Sequence, residues 1–212
     1  MKRKKQRTTG LANHNCVGFL LGIFNGNNFI GYLFIEGGFD TNDIFIGNVV
    51  VLDKNGDYIS DNFDGDVYVL AVTDNDFRND CKSPGGSDKG HWGEEPYQTL
   101  KREIFEEIGS DIIRATLFCK EKHEQVGRIH MRNFFSIVAE TLPNKEEKRY
   151  TSTGDERLKV YWCPLTKFVC CLFKNQRRVF GELLQILAVN RTFFNKYKSL
   201  VMNFSEINGG AL

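Results

Sequence analysis

Apolar residues gather in four blocks over the first eighty positions, Cys16 to Phe24, Phe29 to Glu36, Ile44 to Leu52 and Val67 to Thr73, each rich in Val, Ile, Phe, Leu or Tyr. Turn-forming clusters separate them, among them Asn25-Gly26-Asn27-Asn28, Gly37-Gly38 and Asp53-Lys54-Asn55-Gly56-Asp57. The pattern predicts β-strands. A stretch rich in Gly, Asp and Ser, from Asp74 to about Glu94, reads as a loop. The period then changes: Leu100, Ile104 and Ile108 recur at i, i+4, i+8, with Pro96 in the first turn and Gly109 just past the end, so a helix is expected from Pro96 to Ile108. Strands are expected again over Ile112 to Cys119 and Val126 to Val138. A charged stretch, Asn144 to Arg157, leads into Leu158 to Trp162. The last fifty residues turn helical, with Phe180, Leu183, Leu184 and Leu187 on one face and a further helix over Thr192 to Met202. Neither a repeat nor a low-complexity linker divides the chain. One domain over 16–205 is expected, with a basic tail, 1–15, and a terminus, 206–212, both without fixed structure.

Composition narrows the class. The chain has 212 residues, 41% hydrophobic and 26% charged, enough for one self-sufficient core. No apolar run approaches the roughly 18 to 20 residues that span a bilayer, and the basic start is not followed by an apolar segment of signal type. The expectation is a soluble, intracellular and cytoplasmic protein with no membrane partner. Six cysteines without a CxxC pair or zinc-site spacing read as reduced thiols. The net charge of +1 hides an asymmetry, because Lys2, Arg3, Lys4, Lys5 and Arg7 alone supply five positive charges. Such a tail suits a solvated terminus, a nuclear-import signal or a nucleic-acid arm, and the sequence leaves all three open.

The chemistry concentrates between Gly85 and Gly109. On a helix of about 100° per residue, Glu103, Glu106 and Glu107 fall within about one third of the circumference. Like charges that close repel, and a divalent cation with a preference for oxygen ligands, Mg²⁺ or Mn²⁺, supplies the compensation. Arg102 sits four residues before Glu106 and can fix its rotamer. The Gly85-Gly86 pair lets the backbone pass close to a metal and a diphosphate, where a carbonyl can serve as a ligand.

The full string, Gly86, Glu94, seven residues, then Arg102-Glu103-Ile104-Phe105-Glu106-Glu107-Ile108-Gly109, resembles the Nudix box. Two features depart from it: seven residues instead of five separate Gly86 from Glu94, and Ser110 replaces the final aliphatic residue. The resemblance implies an α/β/α sandwich with a mixed β-sheet, here with extra N-terminal strands and C-terminal helices. It implies hydrolysis of a pyrophosphate bond in a nucleoside diphosphate derivative such as ADP-ribose or a dinucleoside polyphosphate. Glu103, Glu106, Glu107 and the Gly86 carbonyl would hold the metal, and Glu107, Arg102 and Glu156 would form the catalytic set. Glu156, or Asp155 beside it, enters because Asp155 to Leu165 looks like the family's acidic loop followed by a Trp-x-Pro-like strand.

Substrate contacts are less determined. Arg128, His130 and Arg132 alternate with Ile129 and Met131, so one strand face would carry a basic row suited to polyphosphate, and equally to solvent. Trp92, with His91, would stack on a base, with core packing the ordinary alternative for an aromatic residue. Capped RNA is a second substrate class, tracked by the KRKKQR tail, the basic row and Lys174 to Arg178. A non-catalytic nucleotide-binding module is a third reading; it normally goes with loss of box carboxylates, all of which are present.

Overall fold

The structure, a computed structural model, describes residues 13–73, 81–88, 94–125, 128–141, 146–150, 157–172 and 176–208. The basic tail up to residue 12, Trp92 with His91, Glu156 with Asp155, Lys174 and the Arg128 side chain lie outside what is described.

In chain order the elements are β1 (Asn13–Phe19), β2 (Leu21–Asn25), β3 (Asn28–Phe39), β4 (Phe45–Leu52), β5 (Tyr58–Ser60), β6 (Asp66–Thr73), β7 (Gly85–Ser87) and α1 (Pro96–Ile108). After the helix come β8 (Ile112–Gln125), β9 (Arg128–Ala139), β10 (Glu146–Tyr150), β11 (Arg157–Pro164), α2 (Leu165–Cys171), α3 (Arg177–Leu187) and α4 (Arg191–Asn208). One sheet has the order β7-β1-β9-β8 and the other β10-β11-β6-β2-β3-β4-β5. The pairing of β1 with β9 is parallel, with Cys16 opposite Asn133, whereas β7 runs antiparallel to β1, so the sheet is mixed.

The strands bury both faces, which explains their near-continuous apolar runs. Val17 and Phe19 of β1, Val49 and Val51 of β4, and Val67, Val69 and Ala71 of β6 pack with Phe180, Leu183 and Leu187 of α3 and with Phe193 of α4. Their alternates, Cys16, Val50, Leu52, Leu70 and Val72, pack with Leu100, Ile104 and Ile108 of α1. The result is an α/β/α arrangement with α1 on one face and α2 to α4 on the other.

The helix expected from Pro96 to Ile108 has those limits. Elsewhere the boundaries move. The block Cys16 to Phe24 is split at Leu20, because β1 belongs to the first sheet and β2 to the second; a residue run buried on both faces carries no periodic mark of such a switch. The Gly37-Gly38 pair lies inside β3, where Gly37 stands opposite Gly47 and a Cβ would collide with the Ile46 carbonyl. The loop before Glu94 contains β7, and the charged stretch contains β10, paired antiparallel with β11. Cys81 and Cys171 are joined in a disulfide with Cα atoms 5.4 Å apart, which corrects the reading of six reduced thiols. The two are separated by 90 positions, and only the fold brings them together. None of the described helices is long and apolar enough to cross a membrane.

Candidate functional site

Helix α1 is fixed in rotation by its buried stripe. Leu100, Ile104 and Ile108 are almost fully buried, each worth roughly 1.5–3 kcal/mol of transfer free energy. Gly109 ends the helix in the left-handed region (φ 66°) and its N–H donates to the Phe105 carbonyl. With that stripe turned inward, Glu103 and Glu107 face the short strand β7.

Strand β7 is glycine for steric reasons. Gly85 has φ 145°, and a Cβ there would strike the Cys16 carbonyl across the β1 pairing. A Cβ on Gly86 would collide with the carboxylate of Glu103. The backbone therefore lies directly against the helix carboxylates. Gly85 N–H donates to Glu107 Oε2 at 2.7 Å, and Lys82 Nζ stands 3.6 Å from Glu107 Oε1.

Arg102 organises the other carboxylates. Its Nη1 donates to Glu103 Oε1 at 2.6 Å and reaches Glu106 Oε2 at 3.5 Å, while its Nη2 donates to Glu94 Oε2 at 3.2 Å and to the Ser87 carbonyl at 3.0 Å. Burial opposes the guanidinium charge, but the hydrogen bonds it donates to Glu103 and Glu94 outweigh it and raise the pKa further above its ordinary value. Glu94 also accepts from Thr99 Oγ1 at 2.8 Å, tying the loop before the helix to its first turns. At the far end of β7, His14 N–H donates to Asp88 Oδ2 at 3.2 Å and Asp88 N–H to the His14 carbonyl at 3.1 Å.

The local field is negative. Cys16, buried beneath the helix start, is pushed up to about 12, first by burial and then by the charges of Asp88, Glu94 and Glu103, against a hydrogen bond from Asn133 that lowers it. The carboxylates meet internal cations rather than one another, and among the described residues no three His, Cys, Asp or Glu groups converge on one point as a metal cluster. Beyond Glu106 a shallow open cleft runs over Gln98, Lys101 and Phe105. Phe105 is 57% exposed, unusual for a phenyl ring on an amphipathic helix.

Of the basic row, His130 and Arg132 are not brought to this face. Asn133 on β9 donates to Cys16 Sγ (3.9 Å) and so points toward α1. By strand alternation its neighbour Arg132, and His130 two residues before that, lie on the opposite face. Arg132 Nη1 is bonded there to Glu121 Oε2 at 3.3 Å, and Glu121 is also bonded to Arg178 of α3. Glu121 is 6% exposed and its charge is matched internally. Period two puts the row on one side of the strand, suited to polyphosphate and equally to solvent; which side faces the helix is set by the β1 pairing.

Lys82 and the Gln98–Phe105 cleft were not singled out in the sequence. Phe105 occupies an unspecified position of the box, and nothing local marks Lys82, which lies 25 residues before its carboxylate partner.

No protein-family model matches the chain, and no curated protein matches it. Solved structures similar to it include a MutT Nudix hydrolase from Burkholderia pseudomallei, 15% identical over 74% of this chain and 86% of that one, with a TM-score of 0.39. A Nudix hydrolase from Nitrosomonas europaea is 15% identical, covering 76% of this chain and 77% of that one, with a TM-score of 0.37. A nudix hydrolase family member from Chromobacterium violaceum is 14% identical over 96% of this chain and 99% of that one, with a TM-score of 0.40.

Proposed function

We propose that the chain is a Nudix-type hydrolase that cleaves a pyrophosphate bond in a nucleoside diphosphate derivative, with ADP-ribose and dinucleoside polyphosphates as the favoured classes. The observation that carries this reading is the packing of β7 against α1: Gly86 leaves room for the Glu103 carboxylate, and Gly85 binds Glu107 through its N–H. Glycine backbone against a glutamate face is the arrangement the box sequence calls for.

In donor type, though not as they now stand on internal cations, the residues suit a hard divalent cation. Glu103, Glu106, Glu107 and the Gly86 carbonyl offer oxygen donors only, as Mg²⁺ or Mn²⁺ requires. When bound, such an ion neutralises phosphate charge and lowers the pKa of a coordinated water. The chain's own residues prepare for it. Arg102 holds Glu103 and Glu106 in place, Gly85 orients Glu107, and the cleft over Gln98 and Phe105 offers the nucleoside a surface next to the reacting phosphates. Glu107 and Glu156 are the candidates to accept a proton from water, Glu156 by family resemblance alone. Trp92 remains the candidate for base stacking, again by sequence alone. His130 and Arg132 are left out of the substrate site, since Arg132 is held by Glu121 on the other face.

A panel of ADP-ribose, dinucleoside polyphosphates, nucleoside triphosphates and cap-labelled RNA, assayed with Mg²⁺, Mn²⁺ and EDTA, tests the proposal. Turnover of at least one phosphoric anhydride is expected with metal and none in EDTA. Glu106→Gln and Glu107→Gln should each lower kcat by about 10²-fold on the best substrate, because the shape stays while a ligand charge goes. Full turnover in EDTA, or near-normal rates in both variants, would sink the reading. Cleavage of capped RNA alone would move the substrate to that class.

A further inference from the structure

Lys82 lies outside the box, yet its ammonium stands 3.6 Å from a carboxylate that is only 9% exposed. The backbone that delivers it is held at every residue. Cys81 N–H donates to the Cys171 carbonyl at 2.8 Å, and the Cys81 side chain is bonded to Cys171. Lys82 exchanges both backbone hydrogen bonds with Val72, at 3.0 and 2.8 Å. Ser83 N–H donates to Gln176 Oε1 at 3.0 Å, the Pro84 carbonyl accepts from Gly18 at 2.9 Å, and Gly85 N–H ends on Glu107. A surface lysine is ordinarily a mobile point charge. This one rises from a rigid arm that ends, at Gly85, on the proposed metal ligand Glu107 itself.

We propose that Lys82 is a substrate-binding residue that neutralises Glu107 while no cation is present, and whose ammonium passes to a phosphate oxygen of the bound diphosphate once the cation takes that carboxylate. The assignment rests on the pyrophosphohydrolase reading of the helix face. Its physical basis is charge. A nearly buried carboxylate needs partners, and Gly85 satisfies Oε2 while Lys82 satisfies Oε1. A divalent ion arriving at Glu107 repels the ammonium at close range. The side chain is 29% exposed and its four-carbon stem can swing, whereas its Cα cannot, so the ammonium stays beside the helix face. The negative groups that enter with the ion are the phosphate oxygens.

Two opposite signs follow. Lys82 competes with the ion for Glu107, so its loss tightens metal binding; it contacts phosphate, so its loss weakens substrate binding. A brace that only kept Glu107 in position would weaken both.

The test uses the full chain with its disulfide intact, Mn²⁺ titrated by electron paramagnetic resonance, and inorganic pyrophosphate titrated by calorimetry into the Mn²⁺-loaded protein. Lys82→Gln should bind Mn²⁺ about three- to tenfold more tightly, a partly screened like-charge effect, and bind pyrophosphate about tenfold more weakly, as for loss of one charged hydrogen bond. Lys82→Met, closer in stem shape, carries the same expectation should the Gln variant disturb the arm. Lys82→Arg should keep pyrophosphate affinity within about threefold, since the charge remains. Tighter Mn²⁺ with weaker pyrophosphate supports the assignment, and any other pattern in the Gln and Met variants overturns it. A wild-type chain that takes up no Mn²⁺ overturns the helix-face reading as well.

Discussion

Replacing Arg102 by Met keeps the length of the stem and removes a cation that Glu94, Glu103 and Glu106 share. Two of its ion pairs are short, at 2.6 Å to Glu103 and 3.2 Å to Glu94, and the guanidinium is 24% exposed. A hydrogen bond to a charged group contributes roughly 1.5–3 kcal/mol when it is shielded. The third pair, to Glu106 at 3.5 Å with the carboxylate 37% exposed, belongs with the i, i+4 helix pairs of about 0.3–0.5 kcal/mol. Water can replace part of what is lost at a site one quarter open, so a net cost of about 2–4 kcal/mol is expected in metal-free buffer, near the lower end of what breaking a buried pair costs. For a chain of this length each kcal/mol moves Tm by roughly 2–4 °C, which places the loss at about 4–16 °C. Mn²⁺ changes the balance, because an ion among Glu103, Glu106 and Glu107 supplies the positive charge that Arg102 gave. A ligand at one hundred times its Kd adds about 2.7 kcal/mol to the native state. Scanning calorimetry of wild type and Arg102→Met, each in EDTA and in excess Mn²⁺, reads both effects: a large deficit in EDTA that shrinks with the ion. A deficit under about 1 °C in EDTA, or one that Mn²⁺ leaves unchanged, refutes the view that Arg102 stands in for metal charge on this face.

Gly86→Ala places a methyl against the Glu103 carboxylate, which must rotate away from Arg102 or push β7 from the helix. Activity on the best substrate should fall at least about tenfold while the fold persists; a steady-state rate equal to wild type would show that the Glu103 position is not needed. Arg132→Met removes one cation from Glu121, a carboxylate 5% exposed at its side chain, and should cost roughly 3–5 kcal/mol on the scale of a broken buried pair, less what Arg178 retains. Chemical denaturation should report that loss while KM stays within about twofold; a raised KM at unchanged stability would return Arg132 to the substrate.

What the sequence made legible is what depends on neighbours along the chain. The helix limits, its buried stripe and the shared face of Glu103, Glu106 and Glu107 follow from a period of 3.6, and the structure has the helix over Pro96–Ile108 with Leu100, Ile104 and Ile108 inside. The need for glycine at 85 and 86 was legible as a type of residue but not as a mechanism, since the atoms that exclude a side chain, the Cys16 carbonyl and the Glu103 carboxylate, come from other elements. Contacts made by pairing across the sheet stayed hidden. Strand alternation groups His130 with Arg132, yet which side of β9 faces α1 is decided by Cys16 lying opposite Asn133 in a parallel pairing across more than a hundred residues. A one-residue slip of that register would have exchanged the faces and put Arg132 beside the box helix. The same holds for charge. Arg102 could be paired with Glu106 by counting four residues, whereas Lys82 reaches Glu107 only because Cys171, Val72, Gln176 and Gly18, far apart in sequence, hold its arm. Among the described residues, the acidic face that local sequence presents as unbalanced therefore meets positive charge from two directions, Arg102 within the helix and Lys82 across from it.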